Sequence, residues 1–428
     1  MSQPLHDPYH ALRFHDFRLV LLDDIVRSLG GQMMTVALGW EIYDRTHAAL
    51  ALGLVGLVQF LPLLVLAPLA GHLADRLKRT DIIILAQLVG VLTSLGLAAV
   101  SYWHGSLVTL YGCLLVMGMG EAFHDPAAHA LPANVIPAAV FENAASWLNS
   151  VGQLASIVGP VVGGLIVATR GGATVAYLLN AVAGATCILV ISGIQASPPW
   201  HPALDQTEAG QARRGALREG MRFVWRTPVL FAAFSLDLFA VLFGGVETLL
   251  PVFAQDLLRV GPTGLGYLQA APAVGALGMA LFLAHRPRLQ HAGLVFLAAV
   301  AGCGLVMIGF GLSRVFWLSL LLLGLFGALD TISMVVREVL MLTSTPDAMR
   351  GRVAAIEGVF TSSSNQLGGL ESGVTTQLFG PVVSVVGGGI ATIVVVLMIA
   401  GLSPTLRQLR TFLAVEHSGQ QPAHEDYG

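Results

Sequence analysis

The chain has 428 residues, of which 55% are hydrophobic and only 11% charged, with a formal net charge of −3. A soluble domain carries about 25% charged residues, so the deficit excludes a water-soluble globular protein and leaves an all-α polytopic membrane protein. The net charge says little by itself, because in such a chain the placement of charge decides topology; no nucleic-acid partner is expected.

Taken in order, apolar runs of about 20 residues, each enough to cross ~30 Å of hydrocarbon, recur about twelve times. They lie near 17–43, 49–69, 82–100, 107–122, 144–168, 175–194, 229–253, 265–284, 292–312, 316–340, 354–379 and 382–402. The N-terminal stretch is polar, the first run holds Asp23, Asp24 and Arg27, and no small-residue cleavage site follows, so this helix is expected to stay in the protein. Of the 22 Lys and Arg, sixteen fall on connections that share a side with both termini, among them Arg76, Lys78, Arg79, Arg350 and Arg352. Four (Arg45, Arg170, Arg259, Arg314) fall on the other side, and Arg27 and Arg337 lie inside spans. That bias places both termini in the cytoplasm and the chain in the cytoplasmic membrane. Cys113, Cys187 and Cys303 are far apart inside apolar runs, so neither a disulfide framework nor a C-x-x-C metal site is expected.

From Ala196 to Pro228 the chain turns polar, with Asp205, Glu208 and five arginines, and its last part, from Arg214 to Arg226, reads as a short amphipathic helix on the membrane surface. This segment divides the spans six and six, giving an N-terminal bundle (1–195), a linker (196–228) and a C-terminal bundle (229–428). The halves share a pattern. Glu142-Asn143-Ala144 leads into Gly159-Pro160-x₂-Gly163-Gly164, and 209 positions later Gly351-Arg352-Val353 leads into Gly368-Gly369-x₂-Ser372-Gly373. Such paired symmetry predicts a two-bundle transporter with its substrate site between the halves.

Three stretches carry a family resemblance. Gly71-His-Leu-Ala-Asp75-Arg76-Leu-Lys78-Arg79 joins the second and third runs: Gly71 permits close helix approach, Asp75 can face a helix N-terminus, and the basic residues anchor the turn. It resembles the loop between the second and third helices of major facilitator superfamily transporters, although Lys78 stands where many members carry Gly. Gly159, Pro160, Gly163 and Gly164 resemble the fifth-helix element of the superfamily's antiporters, most of which export. The run from Asp330 through Arg337, Arg350 and Arg352 to Gly373 resembles the enterobactin-exporter and secretion-permease branch. The resemblance implies twelve helices in two pseudo-symmetric six-helix bundles. It also implies a loop around Gly71, Asp75, Arg76, Arg79, Arg350 and Arg352 that switches conformation, with Asp75 meeting the start of the eleventh helix.

Ionisable residues inside spans cost about 2.5–3.5 kcal/mol each on insertion scales, so each needs a reason. Asp24 and Asp237 lie ~10–12 Å in from the termini side and Asp330 ~21 Å from the other, at 1.5 Å per residue. The resemblance puts their helices around a central cavity. A carboxylate removed from water holds its proton more tightly, which makes Asp237 and Asp330, then Asp24, the candidates for a coupling proton. Internal pairing is the competing expectation: Asp23 with Arg27, spaced i, i+4, and Asp330 with Arg337 two turns along. Glu247 and Glu371 read as gate or rim residues; Asn365 and Gln366 either bind substrate or bond helix to helix. His124-Asp125-x₃-His129 is not expected to bind metal, because Pro126 should break the helix and no fourth ligand follows. The histidines of both tails read as solvated.

These features describe a secondary transporter, read as a proton-coupled antiporter that exports small amphipathic molecules such as siderophores or drugs. An importer of the same superfamily is the alternative, with a membrane-embedded enzyme or a non-transporting sensor behind it. No G-x-x-x-x-G-K-[ST], H-E-x-x-H or G-x-S-x-G pattern occurs. No cofactor is expected; the partners are the bilayer, protons and a small molecule, and the chain is expected to act as a monomer.

Overall fold

A computed structural model describes residues 7–74, 77–194, 219–285 and 291–407. Among these, twelve long helices follow one another: α1 (His15–Thr46), α2 (Ala49–Ala74), α3 (Arg79–Tyr102), α4 (Leu107–Ala130), α5 (Phe141–Val167), α6 (Gly172–Ser192), α7 (Pro228–Leu257), α8 (Gly261–Ala284), α9 (Ala292–Leu312), α10 (Phe316–Ser344), α11 (Asp347–Phe379) and α12 (Pro381–Leu402). Ten are long and apolar enough to cross a membrane on composition alone; α1 falls short because of its charged residues, and α11 chiefly because of its run of Thr, Ser, Asn and Gln from Thr361 to Gln366. Both are nonetheless packed into the bundle, α1 against α5 and α6, α11 against α2, α7 and α12.

Two local features depart from expectation. Pro126 does not end the fourth helix: α4 continues to Ala130, and a short helix, Pro132–Val135, follows. In a packed membrane helix, neighbours absorb the missing backbone hydrogen bond. In contrast, α7 is interrupted without a proline. The helix stops at Phe243, restarts at Val246 after Gly244-Gly245, and ends in a π turn, Phe253–Leu257.

The bundle is two interlocked sixes. In the first, α1 packs on α5 and α6, α3 on α4 and α6, and α2 on α4; in the second, α7 packs on α11 and α12, α9 on α10 and α12, and α8 on α10. The halves meet along two seams, α5 with α8 and α2 with α11, which a pseudo-twofold rotation exchanges. The repeated small-residue pattern builds both seams. Gly163 lies against the Met33 backbone of α1, while its neighbour Gly164 lies against Gly266 of α8. In the other half Gly368 lies against the Leu242 backbone of α7, and Gly373 against Ala49 and Gly53 of α2. A side chain at any of these four positions would collide with backbone, so small residues are what let the fifth helix of each half touch its own first helix and the other half's second.

Burial of apolar side chains is asymmetric along the bundle axis. Away from the termini one continuous core draws on both halves, with Ile42, Leu249, Phe253 and Phe310 at its centre. Toward the termini the core divides: Phe17, Ile83 and Leu131 belong to one cluster, and Leu230, Phe296 and Leu340 to another.

Candidate functional site

The undivided core is reinforced by side chains that cross between halves. The Tyr43 hydroxyl at the end of α1 donates to Asp256 in the π turn, and Gln255 Nε2 donates to Asp44 Oδ1 at 2.8 Å. Deeper in, Gln153 Nε2 of α5 donates to the Ala273 carbonyl of α8 at 2.7 Å. The α1 end is itself held from behind, since buried Glu41 pairs with Arg45 and accepts from the Tyr177 hydroxyl at 2.7 Å. Arg45, one of four arginines expected on this side, also donates to the carbonyls of Ser101 and Gly105. Tyr43→Phe removes the hydrogen bond to a carboxylate, worth about 1.5–3 kcal/mol. The expected result is a rise in labelling, from the side away from the termini, of a cysteine placed in the cavity; unchanged labelling would mean the bond does not hold this end shut.

In the second half, Arg337 organises the polar groups. Its guanidinium pairs with Asp237 of α7 and donates from Nε to Glu357 Oε1 of α11 at 2.8 Å. Arg337 and Asp237 are each 8% exposed. The expected partnership of Arg337 with Asp330 is therefore not formed: seven residues along α10 put Asp330 two turns away, while α7 and α11 bring carboxylates directly to the arginine. Asp330 is exposed and lies within electrostatic reach of Glu247, also exposed, on the second segment of α7. Glu247, expected as a gate or rim residue, lies in the segment that follows the Gly244-Gly245 break, ten residues or ~15 Å before the end of α7. Asp24, Asp237 and Asp330 occupy three separate surroundings.

The first half holds a cavity of about 340 Å³ between α1, α3, α4 and α5, lined by Asp23, Asp24, Arg27, Asp125, His129 and Asn149 with apolar Val20, Ile83 and Leu148. Phe141 and Pro132 place its mouth toward the termini. Here Arg27 pairs with Asp24 at 3.6 Å and not with Asp23. Asp23 turns instead to α3, where Gln87 Nε2 donates to it at 2.9 Å, and it is 7% exposed. Packing decided between two partners that helix geometry made equally reachable.

These observations describe two helical halves, sealed together at one end, with a carboxylate-lined cavity in the first half that opens toward the other end. The sequence profile described as "Transmembrane secretion effector" matches residues 6–424. The chain belongs to this family of major facilitator superfamily transporters. Among curated proteins it is similar to the multidrug efflux pump Tap of Mycolicibacterium fortuitum, 29% identical over 82% of this chain and 86% of that one. It is also similar to the enterobactin exporter EntS of Escherichia coli O1:K1, 26% identical over 92% and 93%. The fold matches a POT family transporter in complex with 5-aminolevulinic acid (TM-score 0.72, 12% identity, 92% and 97% of the two chains). It also matches the inward-open xylose transporter XylE of E. coli (0.68, 15%, 93% and 96%).

The remaining predicted residues of this secretion-effector chain fall into place around the seams. Asp75 and Arg76 lie outside the described residues, and Gly71 falls in the last turn of α2. Arg79 reaches back to α4, donating at 2.7 Å to both the Ala130 carbonyl and Asn134 Oδ1. Arg350 donates to the Leu342 carbonyl at the end of α10, and Arg352 pairs with Glu219 ahead of α7. Gly159 packs on Gln32, and Gly266 of α8 approaches the Pro160 carbonyl. Gln366 lies against Gly56 of α2 across the seam, whereas Asn365 is exposed and Glu371 half-buried. Glu357, Glu121 and Asp256 had no sequence signal of their own, since a carboxylate in an amphipathic turn looks alike whether it meets water or an arginine; Asp125 stood out only as part of the His124-Asp125-x₃-His129 pattern.

Proposed function

We propose that this secretion effector is a proton-driven exporter of small amphipathic molecules in the cytoplasmic membrane, acting as a monomer with both termini in the cytoplasm and without a cofactor. Residues 1–195 and 229–428 are the two moving bundles and 196–228 their cytoplasmic connection. The observation that carries the reading is the divided core: the halves share one apolar core only at the end away from the termini. With the arginine-rich connections in the cytoplasm, that geometry is a loading state, open to the cell interior and shut outside. The efflux and exporter names of the relatives agree with the direction. Asp330 is the coupling carboxylate of this reading: it is exposed, Glu247 lies within electrostatic reach, and among the described residues no arginine pairs with it, whereas Asp237 is occupied by Arg337.

The test is accumulation of ethidium, and separately of a catecholate siderophore, in inverted and right-side-out membrane vesicles under an imposed pH gradient. Uptake into inverted vesicles, abolished by a protonophore, is expected. Accumulation confined to right-side-out vesicles would make the protein an importer.

A further inference from the structure

The two halves furnish corresponding places differently. The 209-residue offset that relates the fifth and eleventh helices carries Arg337 onto Ala128 and Glu357 onto Leu148. Both Ala128 and Leu148 line the 340 Å³ cavity of the first half. Where the second half holds a guanidinium clasped by carboxylates of α7 and α11, the first half therefore holds space.

The wall of that space is short of positive charge. Asp23, Asp24 and Asp125 line it against the single guanidinium of Arg27, with His129 the other ionisable group of the lining; outside the lining, His124 Nδ1 lies 3.4 Å from Asp125 Oδ1. Glu121, one turn before Asp125, adds a further carboxylate within electrostatic reach of Arg27. Asp23 is more than nine-tenths buried; its Oδ1 accepts from Gln87, and the Cys187 thiol also bonds to Asp23. A buried carboxylate is costly unless it is paired. Apolar Val20, Ile83 and Leu148 flank the charges, and Phe141 adds an aromatic side chain to the lining. The volume is that of a small-ligand pocket, about 300–1,000 Å³.

We infer that this cavity binds the cationic group of an amphipathic molecule, an amine, guanidinium or onium, in the place that Arg337 occupies in the other half. The ligand's charge supplies what the chain leaves out, and its apolar part lies against the flanking aliphatic side chains. The inference rests on the transporter reading only for the ligand's later fate, because binding is measured without transport.

The experiment is equilibrium binding of radiolabelled tetraphenylphosphonium to the purified full chain in detergent, with triphenylphosphine oxide, of similar shape and no charge, as competitor. Saturable binding that triphenylphosphine oxide does not displace is expected. Asp24→Asn and Asp125→Asn should each weaken it by about tenfold, the effect of one partly screened charge, with unchanged elution and unfolding temperature. Ala128→Arg should abolish it by placing in the cavity the group that Arg337 places in the other half. Undiminished binding by the folded Asp24→Asn/Asp125→Asn double variant, or by Ala128→Arg, overturns the inference, as does displacement by triphenylphosphine oxide. An unexpected direction of vesicle transport would overturn the export reading and not this site.

Discussion

Replacing Arg337 with Met is expected to destabilise the protein by about 3–5 kcal/mol, the cost of leaving buried charge without its partner. Methionine keeps most of the aliphatic stem, so the loss isolates the guanidinium. Asp237, 8% exposed, and Glu357 would then face each other with no cation between them, and three helices, α7, α10 and α11, would lose their common tie. The measurement is thermal unfolding in detergent, followed by the loss of monodisperse protein. Arg337→Lys should recover only part of the stability, because one ammonium cannot reproduce the two-armed geometry of the guanidinium. Adding Asp237→Asn and Glu357→Gln to Arg337→Met should recover most of it, since the orphaned charges go with their partner. An Arg337→Met protein that unfolds at the parental temperature would show that water or other groups already satisfy both carboxylates.

The second large effect is on coupling. One-for-one exchange against protons can sustain about a tenfold substrate gradient for each pH unit, since one unit is 1.36 kcal/mol. Asp330→Asn keeps the side chain's shape and removes the proton site, so this gradient should collapse to equilibration in inverted vesicles. Counterflow exchange of preloaded substrate, which needs no net proton movement, should persist. Asp237→Asn is expected to act differently, by loosening Arg337 and lowering stability, because Asp237 is already committed to an ion pair. Full pH-driven accumulation by Asp330→Asn would remove Asp330 from the coupling role.

The contrast between these two aspartates shows how far local sequence reaches. On paper Asp237 and Asp330 look alike: each is a short carboxylate in an apolar run, with no opposite charge one turn away. Helix periodicity can rank partners only along the same helix, and it offered Arg337 to Asp330. The arginine instead bonds across to α7 and α11, a choice made by helix positions that no local pattern encodes. The same limit separates Asp23 from Asp24. Both lie within reach of Arg27 along α1, and contact with Gln87 of α3 decides which of them turns away.

Other features were legible because their physics is local or cumulative. Span number follows from hydrocarbon thickness, which needs no partner in space; the distribution of arginine and one polar connection support, in the same local way, the expected side of the termini and the expected division into halves. The small-residue repeat was also readable, because a glycine at a seam is required wherever two backbones meet; which helix lies opposite was not. Only the tertiary structure decided that Gly163 meets α1 and Gly164 meets α8, that Glu247 lies within electrostatic reach of Asp330, and that the apolar core is continuous at one end and divided at the other. Composition determines that these helices enter a membrane, while their partners and the open side depend on contacts between residues far apart in the chain.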